Sequence, residues 1–236
     1  MQNCLHGFVA AIVLLSLDNS PVVAQADDTV RWIRIRSSPS ESRSNFTVEH
    51  SGLPLPVFRL IQTGFRDEQL IPIRNMRATI RRAGLEQEIR LLGSNANVQK
   101  LSFATIEQGR MLNDVDQQDR RTVCLISNRI ANTLFPFEQA IGSLVRINRD
   151  YYQVVGILAP DKEGLFRGDD VLIPLSTMLV RCGTRQVEVR SGQYEVRECG
   201  ISDLWVQTNR PAEDQRELQR FLKREAPESD FRIETE

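Results

Sequence analysis

Apolar and polar residues alternate along short stretches of the chain, and this alternation predicts strands joined by short helices. Residues 30 to 36 (VRWIRIR) form the first such strand, with Ile33 and Ile35 on one face and arginines on the other. A polar, serine-rich loop is expected from Ser37 to about Ser51. From Pro54 to Thr63 the apolar spacing is that of a helix ended by Gly64, and its predicted apolar face is Val57, Leu60 and Ile61.

Two extended segments follow this helix, at residues 69–73 and 75–80. Because proline cannot donate to a strand ladder, Pro72 predicts an edge strand or a bulge there. The strand, the helix and these extended segments together make one β-α-β unit.

The end of the chain repeats this unit. A short strand at residues 204–207 precedes a helix opened by Pro211, and residues 231–233 alternate as a closing strand. The helix carries acids in its first turn and bases in its last, which suits its dipole. Two such units at the ends of a chain can pair into one α+β sandwich, with the middle inserted as a second lobe.

The middle of the chain carries an ordered series of motifs. A Gly109-Arg110 pair is followed by an acidic residue, either Asp114 or Asp116. Residues 122–126 then predict a strand, and a short helix should follow it. Either Ser127 or Asn128 could cap that helix, whose apolar face would be Ile130, Ala131, Leu134 and Phe135.

A hairpin is expected after Ile141-Gly142, with strands at residues 144–147 and 152–158 around Asn148-Arg149-Asp150. The run DDVLIPLST at residues 169–177 closes the series. In this order the motifs resemble the periplasmic core domain of MacB/FtsX-type ABC transporter permeases.

The resemblance implies an α+β fold with a porter-like lobe of two β-α-β units and an inserted, mainly β second lobe. The porter-like lobe would comprise residues 27–92 and 201–236, and the inserted lobe residues 93–200. The 236 residues contain neither the permease helices nor the ATPase domain of that family. The resemblance therefore implies a periplasmic domain acting as an accessory, or a degenerate permease that retains only this part.

The N-terminus predicts export. A ten-residue stretch, 8–17, that is apolar except for Ser16 precedes Ala24-Gln25-Ala26, so residues 1–26 are interpreted as a signal peptide. Ten helical residues rise only about 15 Å, roughly half of a bilayer core. An uncleaved segment that tethers the protein to the inner membrane is the alternative to a periplasmic, or otherwise extracytoplasmic, exported protein.

Two cysteines flank a predicted hairpin at residues 182–199, with Ser191-Gly192 in its turn. The hairpin would bring Cys182 and Cys199 together at its open end, and an oxidising compartment favours a disulfide worth about 3 kcal/mol. A metal site is the rival interpretation, although no histidine or further cysteine lies nearby in sequence. Cys124 is interpreted as a buried core thiol.

The composition and the missing catalytic motifs narrow the range of functions that the chain could have. The chain is 41% hydrophobic and 26% charged with a formal net charge of −1, which indicates a globular protein without the basic surplus of a nucleic-acid binder. It lacks phosphate-loop, nucleophile-elbow and zinc-helix motifs, and its two histidines are His6 and His50. The acidic cluster of Asp114, Asp116 and Asp119 is interpreted as a solvated turn rather than a calcium site. No catalytic, cofactor or metal residue is therefore predicted.

These observations favour a non-enzymatic extracytoplasmic interaction module. The resemblance implies partners of three kinds, namely a separately encoded ABC transporter, an adaptor or an outer-membrane duct protein. Membrane association would come through those partners or through the uncleaved N-terminal segment. The alternative is a secreted ligand-binding protein or hydrolase that reuses the scaffold, and such a protein should present a pocket with convergent polar groups.

Overall fold

A computed structural model of the chain describes residues 31–37, 48–66, 69–101, 104–159, 166–183, 185–190, 193–227 and 230–235, without the side chains of residues 37, 48–51, 185–190 and 193–199. Its strands are β1 Arg31–Ser37, β2 Val48–Ser51, β3 Leu70–Arg82, β4 Leu85–Ser94, β5 Ile106–Gly109, β6 Val123–Ser127, β7 Leu144–Ile147, β8 Asp150–Leu158, β9 Asp170–Pro174, β10 Arg185–Arg190, β11 Gln193–Cys199, β12 Asp203–Thr208 and β13 Phe231–Thr235. Its helices are α1 Leu55–Gly64, α2 Asp114–Gln118, α3 Asn128–Leu134, α4 Leu175–Arg181 and α5 Pro211–Glu225.

The two ends of the chain build a porter-like lobe. Four strands lie in the order β13-β1-β12-β3, and every neighbouring pair is antiparallel. Helix α1 lies between β1 and β3 in the chain and α5 between β12 and β13, so both predicted β-α-β units are present. The two helices share one core with the sheet, formed by residues that include Ile33, Ile35, Phe58, Ile61, Leu204, Val206, Leu218 and Leu222.

The predicted apolar face of α1 is partly wrong. Val57 and Ile61 are buried as expected, but Leu60 is 46% exposed, and Phe58 is buried instead. A helix turns by 100° per residue, so both combinations of three residues span about the same arc of its surface. Only the position of the sheet decides which arc is covered.

The prediction of an edge or a bulge at Pro72 is also wrong. Residues 70–82 form one continuous strand, β3, which pairs with β12 on one side and β4 on the other. Its ladder with β4 begins only at Ile73, opposite Ser94, and the Pro72 carbonyl accepts a hydrogen bond from the Ser94 hydroxyl at 2.8 Å. Proline has no N–H to donate to a neighbouring strand. Pro72 is tolerated in this central strand because that N–H would point toward β4, just beyond the last β3–β4 ladder pair.

The second lobe is a closed barrel. Strands β3, β4, β9, β6, β8 and β7 pair in that order, and β7 returns to β3 through Ile80↔Ile147 and Arg81↔Arg146. Side chains from all six strands fill the interior, including Ala78, Ile80, Ile89, Leu91, Cys124, Ile126, Val145, Ile147, Tyr152, Val154, Val171 and Ile173. Helix α3 adds Ile130, Leu134 and Phe135 to this core, with Ser127 as its N-cap. The lobe is therefore packed rather than hollow.

The long strand β3 joins the two lobes. Its first residues pair with β12 in the porter-like sheet, and its last residues pair with β7 in the barrel. The α+β class and the two-lobe architecture are confirmed. The boundaries at 27–92, 93–200 and 201–236 stay a prediction, since β3 contributes to both lobes.

A smaller sheet has the order β10-β11-β2. Strands β10 and β11 pair as a hairpin in which Arg190 is opposite Gln193. The predicted turn residues, Ser191 and Gly192, lie outside the described residues. Strand β2 pairs in parallel with β11, so the expected loop from Ser37 to Ser51 is wrong for residues 48–51. The local sequence did not indicate this strand because its partner lies almost 150 residues further along the chain.

Candidate interaction surfaces

The Gly-Arg pair of the central motif series leads into a buried ion pair. Both terminal nitrogens of Arg110 contact the carboxylate of Asp116, at 2.6 and 3.0 Å, and that carboxylate is fully buried. Asn113 caps α2 by accepting from the Asp116 N–H, while its own N–H donates to the carboxylate at 3.1 Å. Of the two candidates for the acidic position, the structure selects Asp116 over Asp114.

Gly109 is required for this arrangement. Its φ is +82°, a region that side chains other than glycine rarely adopt, and an added Cβ would lie 2.3 Å from the carbonyl oxygen of Val155. The backbone here approaches β8 closely, and the Arg110 N–H donates to the same carbonyl at 2.9 Å. Glycine thus lets the chain turn so that Arg110 faces Asp116.

The acidic cluster is not the solvated turn that was predicted. Burial raises the pKa of Asp116, but hydrogen bonds from Arg110 and from the Asn113 N–H outweigh it, and the net pKa is lowered. Asp119, in contrast, pairs with Arg121 at the surface. Of the three residues of the cluster, Asp116 is therefore buried in an ion pair, while Asp114 and Asp119 are exposed.

Two further ion pairs anchor the lobes. Asp170 opens β9, and its fully buried carboxylate binds Arg90 at 2.5 and 2.7 Å. In the porter-like sheet, Arg34 donates to Asp203 at 2.7 and 3.0 Å and lies over the ring of Trp205. The sequence analysis missed both pairs because the partners are 80 and 169 residues apart.

The cysteines occupy different environments. Cys124 is fully buried in the barrel core, as predicted, and burial raises the pKa of its thiol far above the usual range. Cys182 follows α4 and packs against the same core, where burial raises its pKa too. The side chains of Cys199 and His50 lie outside the described residues, so the disulfide stays a prediction. No group of three potential metal ligands occurs within the described ranges.

A groove runs between the two helices of the porter-like lobe. It encloses about 350 Å³ and is lined by exposed or half-buried apolar side chains, including Leu60, Phe65 and Phe221. Arg210, Asp214 and Glu217 lie on the same groove, and the buried carboxylate of Asp214 accepts a hydrogen bond from the Thr208 hydroxyl. The groove therefore combines apolar area with charged groups of both signs.

The sequence matches the model of one protein family, MacB-like periplasmic core domain, over residues 7–220. The chain belongs to this family. A stretch of 123 residues is 30% identical to the macrolide export ATP-binding/permease protein MacB of Bdellovibrio bacteriovorus; it covers 47% of this chain and 19% of that protein. The chain thus spans about a fifth of its curated relative.

Two solved structures share the fold of this chain. The periplasmic region of MacB from Actinobacillus actinomycetemcomitans aligns with a TM-score of 0.62 at 16% identity, covering 86% of this chain and 87% of that one. The extracellular domain of the ABC-type transporter YknZ from Gram-positive bacteria aligns with a TM-score of 0.59 at 18% identity, covering 86% and 99%. The chain therefore has the same fold as these two extracytoplasmic domains. In the part of the chain that the structure describes, no helix is both long and apolar enough to cross a bilayer.

Proposed function

We propose that the protein is a non-enzymatic, extracytoplasmic interaction module of an ABC-type export system, either as an accessory to a separately encoded transporter or as a degenerate permease. The observation that carries the proposal is the family match over residues 7–220 together with the two-lobe fold. The partners would be the transporter itself, an adaptor or an outer-membrane duct protein.

The architecture supports a role in binding and relaying. The two lobes are not joined by a flexible linker, because β3 runs from the porter-like sheet into the barrel. A partner bound to one lobe is thereby held in a defined orientation to the other. Such rigid connection suits a domain that positions several proteins relative to one another.

The chemistry of the buried acids supports the non-enzymatic part of the proposal. Asp116 and Asp170 are each bound to an arginine, and the pKa of Asp116 is lowered, which leaves it ionised rather than poised for proton transfer near neutral pH. The raised pKa of the Cys124 thiol opposes its use as a nucleophile.

Export would depend on residues 1–26, removed as a signal peptide or kept as a tether to the inner membrane. Outside the cytoplasm, Cys182 and Cys199 would form the disulfide at the base of the β10–β11 hairpin. Changing Cys199→Ser should then lower the free energy of unfolding by about 3 kcal/mol under oxidising conditions and have little effect under reducing ones. In protein produced without residues 1–26, and so without Cys4, thiol titration of the denatured, unreduced chain should find Cys124 reactive and the hairpin pair unreactive. An equal reaction of all three remaining cysteines would refute the disulfide.

The interaction role is tested by affinity purification of the tagged full chain from a native envelope extract. We expect recovery of an ABC transporter subunit, an adaptor or an outer-membrane duct protein. Recovery of none of these, under conditions that preserve a known complex of the same envelope, would refute the role.

Site-specific photo-crosslinking shows which of the two lobes contacts the partner. A photoreactive residue at Leu60 reports on the porter-like lobe and one at Tyr151, 62% exposed, on the barrel. A specific adduct at either position locates the partner. Arg120, exposed beside α2, is the control position and should give none.

A further inference from the structure

Four arginines converge on the outer face of the barrel where β3, β7 and β8 meet. Arg81 on β3 lies directly opposite Arg146 on β7, in the pairs that close the barrel. Arg149 occupies the turn between β7 and β8, and Arg181 is the last residue of α4. We call these four residues the arginine surface.

The acids near this surface are too few to neutralise it. Glu86 binds Arg81 at 2.8 Å, and Asp150 binds Arg181 at 2.8 Å. Arg146 donates instead to the backbone carbonyl of Asn148 at 3.1 Å. For Arg149 the described part of the chain shows neither a hydrogen bond nor an ion pair.

The arginine surface lines a cavity of about 550 Å³, a size typical of small-ligand sites. Its apolar part is the edge of the barrel core, formed by Met76, Ile147, Tyr152 and Cys182. Thr79, Asn148 and Asp150 add polar groups, and Asp150 is the one acid in the described lining. A second cavity of about 310 Å³ adjoins it, because Arg81 and Arg146 line both. The exposed side chains of Leu144 and Tyr151 belong to this second cavity.

Fold stability does not account for the arrangement. Like charges placed directly opposite each other on neighbouring strands are destabilising, and Arg81 and Arg146 are such a pair. A second such pair in the barrel, Arg77 opposite Arg90, differs because Arg90 is bound to the buried Asp170, whereas Arg146 has no acid among the described residues. The chain has a net charge of only −1, so this cluster is not a consequence of a generally basic surface.

We infer that the arginine surface binds an anionic ligand that carries carboxylate or phosphate groups on a body small enough for the 550 Å³ cavity. Guanidinium groups match both kinds of anion because their planar fork donates two parallel hydrogen bonds. Arg146 and Arg149 supply the charge that no described acid neutralises, and the apolar part of the cavity receives the uncharged portion of the ligand.

The direct test uses pyrophosphate and citrate as probes, titrated calorimetrically into the protein produced from the full chain. The matched comparison is Arg146→Gln with Arg149→Gln against Arg216→Gln with Arg220→Gln on α5. The control pair removes the same charge from two exposed arginines outside the cavity. The cavity variant should weaken binding of at least one probe tenfold or more, and the control less than twofold.

Salt dependence adds a second readout. Binding through two guanidinium groups should weaken as ionic strength rises, and this dependence should be smaller in the cavity variant than in the control. Equal losses in the two variants would show only general charge attraction and would overturn the inference. Undetectable binding of both probes, combined with no vesicle binding, would overturn it too.

The anion could be a free small molecule or the headgroup of a lipid, and vesicle-binding assays distinguish the two. Phosphatidylglycerol vesicles that retain the wild-type protein and the α5 control, but not the cavity variant, would identify a headgroup. Phosphatidylcholine vesicles should retain none of them. Binding of pyrophosphate or citrate without vesicle binding would identify a free anion. These assays contain no transporter component, so their result is independent of the proposed interaction role.

Discussion

Arginines serve two different purposes in the barrel lobe. Arg90 and Arg110 each bind a fully buried aspartate, and those pairs fasten α2 and β9 in place. On the arginine surface, by contrast, Arg146 and Arg149 have no acid among the described residues, and Arg146 opposes Arg81. The comparison teaches that arginine content alone says little, because the partner decides whether the residue stabilises the fold or is available to a ligand.

The largest effect is expected from breaking the buried pair. Changing Asp116→Asn should lower the free energy of unfolding by about 3 kcal/mol, because Arg110 loses its carboxylate and the buried site loses an ion pair. Urea denaturation followed by tryptophan fluorescence measures the change. Asp119→Asn is the control, since that exposed pair should contribute within about 0.5 kcal/mol. Similar losses in the two variants would remove the distinction between buried and exposed pairs.

Gly109 and Gly84 have the same φ of +82° but differ in how closely other atoms approach them, so they extend the comparison to the backbone. Gly109→Ala should cost about 2 to 3 kcal/mol, because the new Cβ adds a clash with Val155 to the strain of a left-handed conformation. Gly84→Ala, near the arginine surface, should cost only about 1 kcal/mol, as nothing lies within 4 Å of its Cβ position. Equal costs would mean that the close approach at Gly109 is not rigid.

The buried pair should also make stability depend on pH. The pKa of Asp116 is lowered in the folded protein, so its contribution is complete above the unfolded pKa of about 4 and is lost as the pH falls below that value. The difference in unfolding free energy between the wild type and Asp116→Asn should therefore shrink from pH 7 to pH 3. A difference that stays constant over this range would contradict the ionised pair.

The smallest effect on stability is expected at the arginine surface. The double change Arg146→Gln and Arg149→Gln should leave the free energy of unfolding unchanged within about 0.5 kcal/mol or raise it slightly, because like-charge repulsion is relieved. The same urea titration checks this. A loss comparable to that of Asp116→Asn would show that these arginines belong to the structural group after all.

The periodic segments were predictable because their information is local. The strand at Ile33 and Ile35, helix α5 and the hairpin around Asn148 all follow from spacing and turn chemistry within a few residues. The motif series around Gly109-Arg110 likewise indicated the family, whose model matches residues 7–220.

Three of the errors share one cause. The exposure of Leu60, the central position of Pro72 instead of an edge or a bulge, and the strand at residues 48–51 each depend on an element distant in sequence. Asp116 was expected in a solvated turn, although Arg110 lies only six residues away, because its burial depends on packing rather than on spacing.

The sequence alone thus determined the fold class, the two-lobe order and the kind of family. Tertiary structure alone decided that the middle lobe closes into a barrel that includes β3. It also decided that three arginines pair with buried aspartates and that four other arginines meet at one cavity. Local periodicity specifies which face of a strand or helix is apolar. It contains no information on which strands become neighbours, and charges on Arg81 and Arg146, 65 residues apart, meet only through that pairing.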